Sequence, residues 1–402
     1  MNRVLVTGLG VTTAVGLTVE AFWQALMVGE SGADQISQFD ASPYTTTIGA
    51  EVRAFDADAY FSRKVARRMS RVSQLAVYTT EKALLDAGLN GVAGESPVGV
   101  FVGCSQGGFV ESEGFFAKSR PSPLALLMPM NSAPASNMSI TFNLTGPLLT
   151  YDTACSSASH AIGMAALMIR YGQIERAVVG GVDTVFSRDV FRSWCSLGAL
   201  SRENERPKKA CKPFSQNRDG TLLGEGAAML VLESETAARR RGARVYAEVA
   251  GYGFSSDAHH LTQPQAKGMA TAVRNALTDA RVNVDEVDYI NAHGTGTAVN
   301  DAMETEAIKR VFGEQAYSVP MSGIKPAVGH TLAASGAIEF LTCVLAIQHG
   351  CLPPTLNYEE PDPACDLDYV VEGAREQNVR LCLSNSFAFG GSNVTLIAKR
   401  YE

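Results

Sequence analysis

Short apolar runs and apolar positions at helical spacing alternate along most of this chain. Val4-Leu-Val-Thr predicts a strand that ends in a Gly8-Leu-Gly10 turn, and residues 19–29 predict a helix. Residues 30–62 are polar and loop-rich. A helix is predicted over 72–88, a strand over 98–102, and a flexible glycine-rich stretch ending at Gly108. Residues 115–148, rich in Met, Pro and Ser, read as loops and one helix. From Leu149 to His160 the pattern predicts a strand, a sharp turn and a helix of small residues. Its apolar positions are Ala158, Ile162, Ala165, Ala166 and Ile169. Beyond it come a strand at 177–181, a helix at 187–200, turns through Gly220, a strand at 223–232 and a helix at 234–241.

A second series opens at Val245-Tyr-Ala-Glu-Val. It runs through helix 267–281, strand 287–291, helices 301–312 and 332–349, and a final strand pair at 379–384 and 394–399. Strands alternating with helices predict a layered α/β architecture. Each half opens on a strand, which predicts a duplication with a boundary at 242/243.

Composition narrows the class. A net charge of −7 over 402 residues argues against a nucleic-acid binder or a basic membrane anchor. No signal-peptide pattern opens the chain, and no uncharged apolar run is long enough to span a bilayer. The eight cysteines form no CxxC pair, so neither a zinc ribbon nor a disulfide framework is expected, and a cytoplasmic setting follows. Gly8-Leu-Gly10 is not a dinucleotide fingerprint, because Thr13 stands where the third glycine belongs.

Candidate chemistry centres on Cys155. At a helix N-terminus the backbone dipole and unpaired N–H groups favour a thiolate. A cysteine alone is more commonly a buried structural thiol. Three further stretches change that balance: Asn291-Ala-His293-Gly-Thr-Gly-Thr297, then Lys325 followed five residues later by His330, and Ser384-Asn-Ser-Phe-Ala-Phe389-Gly-Gly-Ser-Asn393. Together they offer a nucleophile, two imidazoles, a lysine and a glycine-rich loop able to bring backbone N–H groups to a ligand, a set suited to acyl-thioester chemistry.

These motifs resemble those of the β-ketoacyl-(acyl-carrier-protein) synthases of the elongating, Cys-His-His type, over essentially the whole chain. Asp301 to Gly313 and Pro353 to Leu367 are also similar to the nodulation-type condensing enzymes. The resemblance implies the thiolase fold: two pseudo-duplicated α/β halves (1–242 and 243–402) in five α-β-α-β-α layers, usually dimeric. It implies an acyltransferase in fatty-acid, polyketide or specialised lipid synthesis. Cys155 would take an acyl group from a carrier-protein thioester; His293 and His330 would stabilise the enolate left when malonyl-acyl carrier protein loses carbon dioxide. The backbone N–H groups of Cys155 and Phe389 would hold the tetrahedral oxyanion. Lys325 and Glu339 match positions that tune the histidines. Thr295 and Thr297 match those that bind the phosphopantetheine arm, and no metal or tightly bound cofactor is implied. Phe389, followed by Gly390, matches the gate to the acyl pocket. Phe109, Val110 and Trp194 are candidates for setting pocket depth.

Lys64, Arg67, Arg68 and Arg120 match positions that face the acidic carrier protein. The same basic run is also what a solvated surface looks like. Four departures stand out, one of them Ala158, which replaces a common glycine beside the nucleophile. Ala388 replaces a glycine and predicts hindered gate motion if positive φ is needed there. Gly198 replaces a docking arginine, and Pro326 follows the lysine where Ser is usual. His259 and His260 read as loop residues. The alternatives are a malonyl decarboxylase or chain-length partner subunit, which typically lacks the nucleophile, and a Cys-His hydrolase, which needs no second histidine and lysine.

Overall fold

The structure is a computed structural model that describes residues 1–89, 97–116 and 123–402. Ten strands form one central sheet: β1 (Val4–Thr12), β2 (Val98–Gly103), β3 (Leu148–Tyr151), β4 (Arg176–Asp183), β5 (Gly226–Ser234), β6 (Ala247–Ser256), β7 (Tyr289–Asn291), β8 (Met321–Ser322), β9 (Leu381–Phe387) and β10 (Ser392–Lys399). Their order across the sheet is β8-β7-β9-β10-β6-β1-β5-β4-β2-β3. Outward from the centre, each half therefore reads first, fifth, fourth, second and third strand. Directions repeat too. β2 runs parallel to β3 and β4, as β7 does to β8 and β9, while the other pairs in each half are antiparallel. The predicted duplication thus appears as topology. The halves join where β1 meets β6, pairing Leu5 with Glu248 and Val6 with Ala247.

Helices make the remaining layers: α1 (Arg71–Asp86), α2 (Ser157–Arg170), α3 (Arg188–Leu197), α4 (Ala266–Ala280), α5 (Ala298–Phe312) and α6 (Ser335–His349). α1 covers one outer face through β1 and β5, and α4 covers the other through β6 and β10. α2 and α6 contact strands of both halves and each other, so they form the middle layer of the expected α-β-α-β-α stack. Their faces explain why. α2 buries Ala158, Ile162, Ala165, Ala166 and Ile169, as its spacing predicted, and every residue of α6 from Ser335 to Ile347 is buried. A helix that is apolar all round belongs in a core. The 332–349 run is apolar enough to cross a bilayer by composition, with a mean hydropathy of 1.4, but 89% of it is inside the protein.

β1 corrects one expectation. Gly8 and Gly10 do not form a turn; the strand continues unbroken to Thr12, with all nine residues buried. These glycines exist for α1. A Cβ at Gly10 would lie 2.4 Å from the Thr79 carbonyl oxygen, and one at Gly8 equally close to that of Ala83. Such contact forces backbone apart, at a typical cost of about 1–3 kcal/mol.

Candidate active site

The turn ahead of α2 is tight enough to require strain. Ala154 has a φ of 51°, a conformation unusual for a residue with a Cβ. Ser157 Oγ ties the turn by donating to the Ala154 carbonyl at 2.6 Å and accepting from the Thr153 N–H at 2.9 Å. Cys155 is thereby presented just before the first turn of α2, as its sequence predicted.

His330 faces it, with Nε2 3.1 Å from Cys155 Sγ. The backbone of His330 is pinned from both sides: its N–H donates to the Leu222 carbonyl, and its carbonyl accepts from the Gly224 N–H. The Leu332 N–H points at Nδ1 from 3.3 Å, and the Ser335 hydroxyl lies 2.9 Å from it. Nδ1 is therefore an acceptor, and the ring proton sits on Nε2, directed at the sulfur.

His293 completes the group, its ring 5.3 Å from that of His330 and nearly perpendicular to it. Lys325 Nζ lies 3.3 Å from His293 Nδ1 and also donates to the His293 carbonyl oxygen. An ammonium can only donate, so the His293 proton is likewise on Nε2. Lys325 is paired at 2.5 Å with Glu339 Oε1, and both side chains are buried. Burial and the Lys325 charge hold both histidines well below their ordinary pKa, so both are neutral N–H donors. Burial pushes Glu339 up to about 7, against the pull of Lys325.

Cys155 departs from the thiolate expectation. Burial pushes its thiol up to about 12, outweighing the Lys325 charge and the hydrogen bond donated by the Phe389 N–H. Desolvation of a fully enclosed sulfur exceeds what one helix terminus supplies. The Phe389 N–H nevertheless reaches the sulfur.

A cavity of about 600 Å³ is lined by Cys155, His293, His330, Thr295, Thr297, Trp194 and Phe389. Thr295 and Thr297 share a 2.8 Å hydroxyl hydrogen bond. Gly390 does not line this cavity; its φ of 80° supplies the bend after Phe389. Ala388 is not strained, because its φ of −107° is extended backbone open to any residue. Pro326 falls in the first turn of a short helix, where its missing N–H costs nothing, and Gly198 caps α3 in the left-handed region. His260 lines the cavity, whereas His259 does not. Phe109 lines a second cavity beyond Trp194 and Phe389, and Val110 lines neither. Cys155, His293 and His330 have their donor atoms within 4.8 Å of one another. A metal ion there would meet two protonated Nε2 atoms and the Lys325 ammonium, so the donor set does not fit a cation.

Two supporting acids were not singled out from sequence. Glu304 on α5 accepts from the backbone N–H groups of His293 and Gly294, both at 2.9 Å. Asp183 at the end of β4 accepts from the N–H groups of Gln106, Gly107, Thr184 and Ala333. Burial pushes each up to about 7. Lys64, Arg67 and Arg68 are exposed and form no ion pair among the described residues, and Arg120 lies outside those residues. All eight cysteines are free.

The Cys155 environment predicts how it is alkylated. Iodoacetamide should modify Cys155 about tenfold faster for each pH unit from 7 to 10, because thiolate is the reactive form. Peptide mapping separates it from the half-buried Cys195 and Cys351. A plateau at or below pH 8 contradicts the high pKa.

Family models for the N-terminal and C-terminal domains of β-ketoacyl synthase match residues 1–238 and 246–359. The chain is 40% identical to the 3-oxoacyl-[acyl-carrier-protein] synthase 2 of Coxiella burnetii, covering 99% of both chains. It is also 40% identical to nodulation protein E of Rhizobium meliloti, again over 99% of both. A solved structure of the ketosynthase AntDE, a type II polyketide enzyme in complex with its acyl-carrier protein AntF, superimposes with a TM-score of 0.92 at 30% identity over 100% of each chain. This chain belongs to the β-ketoacyl synthase family and has its thiolase-type fold.

Proposed function

We propose that this chain catalyses the decarboxylating Claisen condensation of an acyl group with malonyl-acyl carrier protein. The observation that carries the reading is one cavity holding the Cys155 thiol, two neutral imidazole N–H donors and the Phe389 N–H. In the first half-reaction Cys155 sulfur attacks an acyl thioester, and its proton ends on the departing pantetheine thiol. Phosphopantetheine enters past Thr295 and Thr297, as a carrier-bound arm rather than a resident cofactor. In the second half-reaction the malonyl carboxylate leaves as carbon dioxide. The Nε2–H groups of His293 and His330 donate to the enolate oxygen, so no strong base is needed. The enolate carbon attacks the acyl-Cys155 carbonyl, whose oxyanion accepts from the Cys155 and Phe389 N–H groups. Collapse expels the Cys155 sulfur, which regains a proton, and frees β-ketoacyl-carrier protein. Lys325 and Glu339 position and tune the histidines, while Phe389 with Gly390 gates the acyl pocket.

The halves 1–242 and 243–402 contribute the nucleophile and both histidines, respectively. The enzyme works without a bound metal, as a soluble cytoplasmic protein. A decarboxylase or chain-length subunit is disfavoured by the buried Cys155–His330 contact, which such a role does not need. Lys64, Arg67 and Arg68, without an ion pair among the described residues of an acidic protein, suit an acidic carrier, with Arg120 a further candidate. The open edge of β3 exposes Leu148 and Leu149, and Ile140 nearby in sequence is 80% exposed. These features support a homodimer through that edge.

His330→Ala should lower carbon dioxide release from malonyl-carrier protein by about 10²–10³ while acyl transfer to Cys155 stays measurable. Wild-type release overturns the assignment. Sedimentation with a carrier protein should give a mass based on two 42.7 kDa chains. Reversing Arg67 and Arg68 to Glu should weaken carrier binding about tenfold at low salt, and less at high salt. A monomer, or unchanged affinity, would remove the corresponding proposal.

A further inference from the structure

Trp194 and Phe389 border both the catalytic chamber and an open second cavity of about 960 Å³. Their rings stack at 5.9 Å with an interplanar angle of 25°. They are the partition between Cys155 and the second space, and Phe389 is 39% exposed.

Behind this partition an apolar wall of Phe109, Val190 and Leu197 is interrupted by polar groups. Gln106, Glu113, Asp189 and Ser193 line the second cavity. Gln106 is fixed at both ends. Its backbone N–H donates to Asp183 Oδ1 at 3.0 Å, and its side-chain Oε1 accepts from the Trp194 indole N–H at 3.0 Å. The indole can only donate, so the amide orientation is set, and the Nε2 group is the free end. No acceptor for Nε2 exists among the described residues. The Glu113 carboxylate is already engaged, with Oε1 accepting from the Ser187 hydroxyl and the Asp189 and Val190 N–H groups.

We propose that the cavity beyond Phe389 selects acyl chains carrying a carbonyl or hydroxyl oxygen over plain alkyl chains, through the Gln106 amide. This rests on the condensing reading above and names its substrate class. A hydrocarbon chain laid over Nε2 strips water from a donor and returns nothing, which costs free energy. A chain oxygen accepts from Nε2 and leaves the Trp194 bond intact. Sites built around such a donor discriminate against analogues that lack the partner.

The test loads Cys155 with pantetheine thioesters of acetate, octanoate, 5-oxooctanoate and 7-oxooctanoate, following adducts by intact-protein mass spectrometry. The wild type should load the better oxo chain about tenfold faster than octanoate. Gln106→Leu should bring that ratio to one or below. Each ratio is taken within a single protein sample, so the folded fraction cancels. A wild-type ratio of one or below for both oxo chains overturns the proposal, as does a ratio unchanged in Gln106→Leu. Loading by acetate alone also overturns it but leaves Cys155 as the nucleophile. No loading by any thioester removes the condensing reading itself.

Discussion

The arrangement depends on a buried ammonium. Lys325 is 1% exposed, and its charge is balanced only because Glu339 on α6 meets it inside the middle layer. Breaking such a pair from one side typically costs about 3–5 kcal/mol, since the remaining charge stays buried. What that expense secures is electrostatic. Burial, reinforced by this fixed positive charge, keeps both imidazoles neutral, and the Lys325 donation to His293 Nδ1 fixes which nitrogen carries the proton. Among the described residues Glu339 Oε2 has no hydrogen-bond partner, so the pair is held through one oxygen and the packing around it.

The layered fold delivers these groups to one place. Cys155 stands at the start of α2 and Glu339 within α6, and the two helices touch between the sheet halves. Ser159 of α2 hydrogen-bonds Ser386 of β9 at 2.8 Å, linking the helix that follows Cys155 to the strand that leads to Phe389. Asp183 binds the end of β4 both to the Gln106 loop and to the segment after His330. One buried acid thus couples the Gln106 loop to the histidine side of the cavity.

Much of this was legible in the sequence because each candidate catalytic group lies in a short contiguous motif. Periodicity located the strand, turn and small-residue helix around Cys155 without tertiary information. Three matters needed the fold. Gly8 and Gly10 read as a turn, but they answer to a helix some seventy residues later. The Cys155 thiolate followed from local dipole reasoning, whereas enclosure by distant elements raises its pKa. Ala388 looked strained only while its φ was unknown. Glu304 and Asp183 carried no local signal, because each is defined by the backbone N–H groups it receives from elsewhere. The basic run at 64–68 keeps both meanings in sequence, since exposure alone suits a docking patch and a solvated face equally.

The most direct measurement is intact-protein mass spectrometry through one complete cycle, first with an acyl-carrier-protein thioester and then with malonyl-carrier protein. The account predicts an acyl adduct on Cys155 that disappears on malonyl addition, with a β-keto product of matching length. An adduct mapped to another residue, or one released only as free acid, would contradict it.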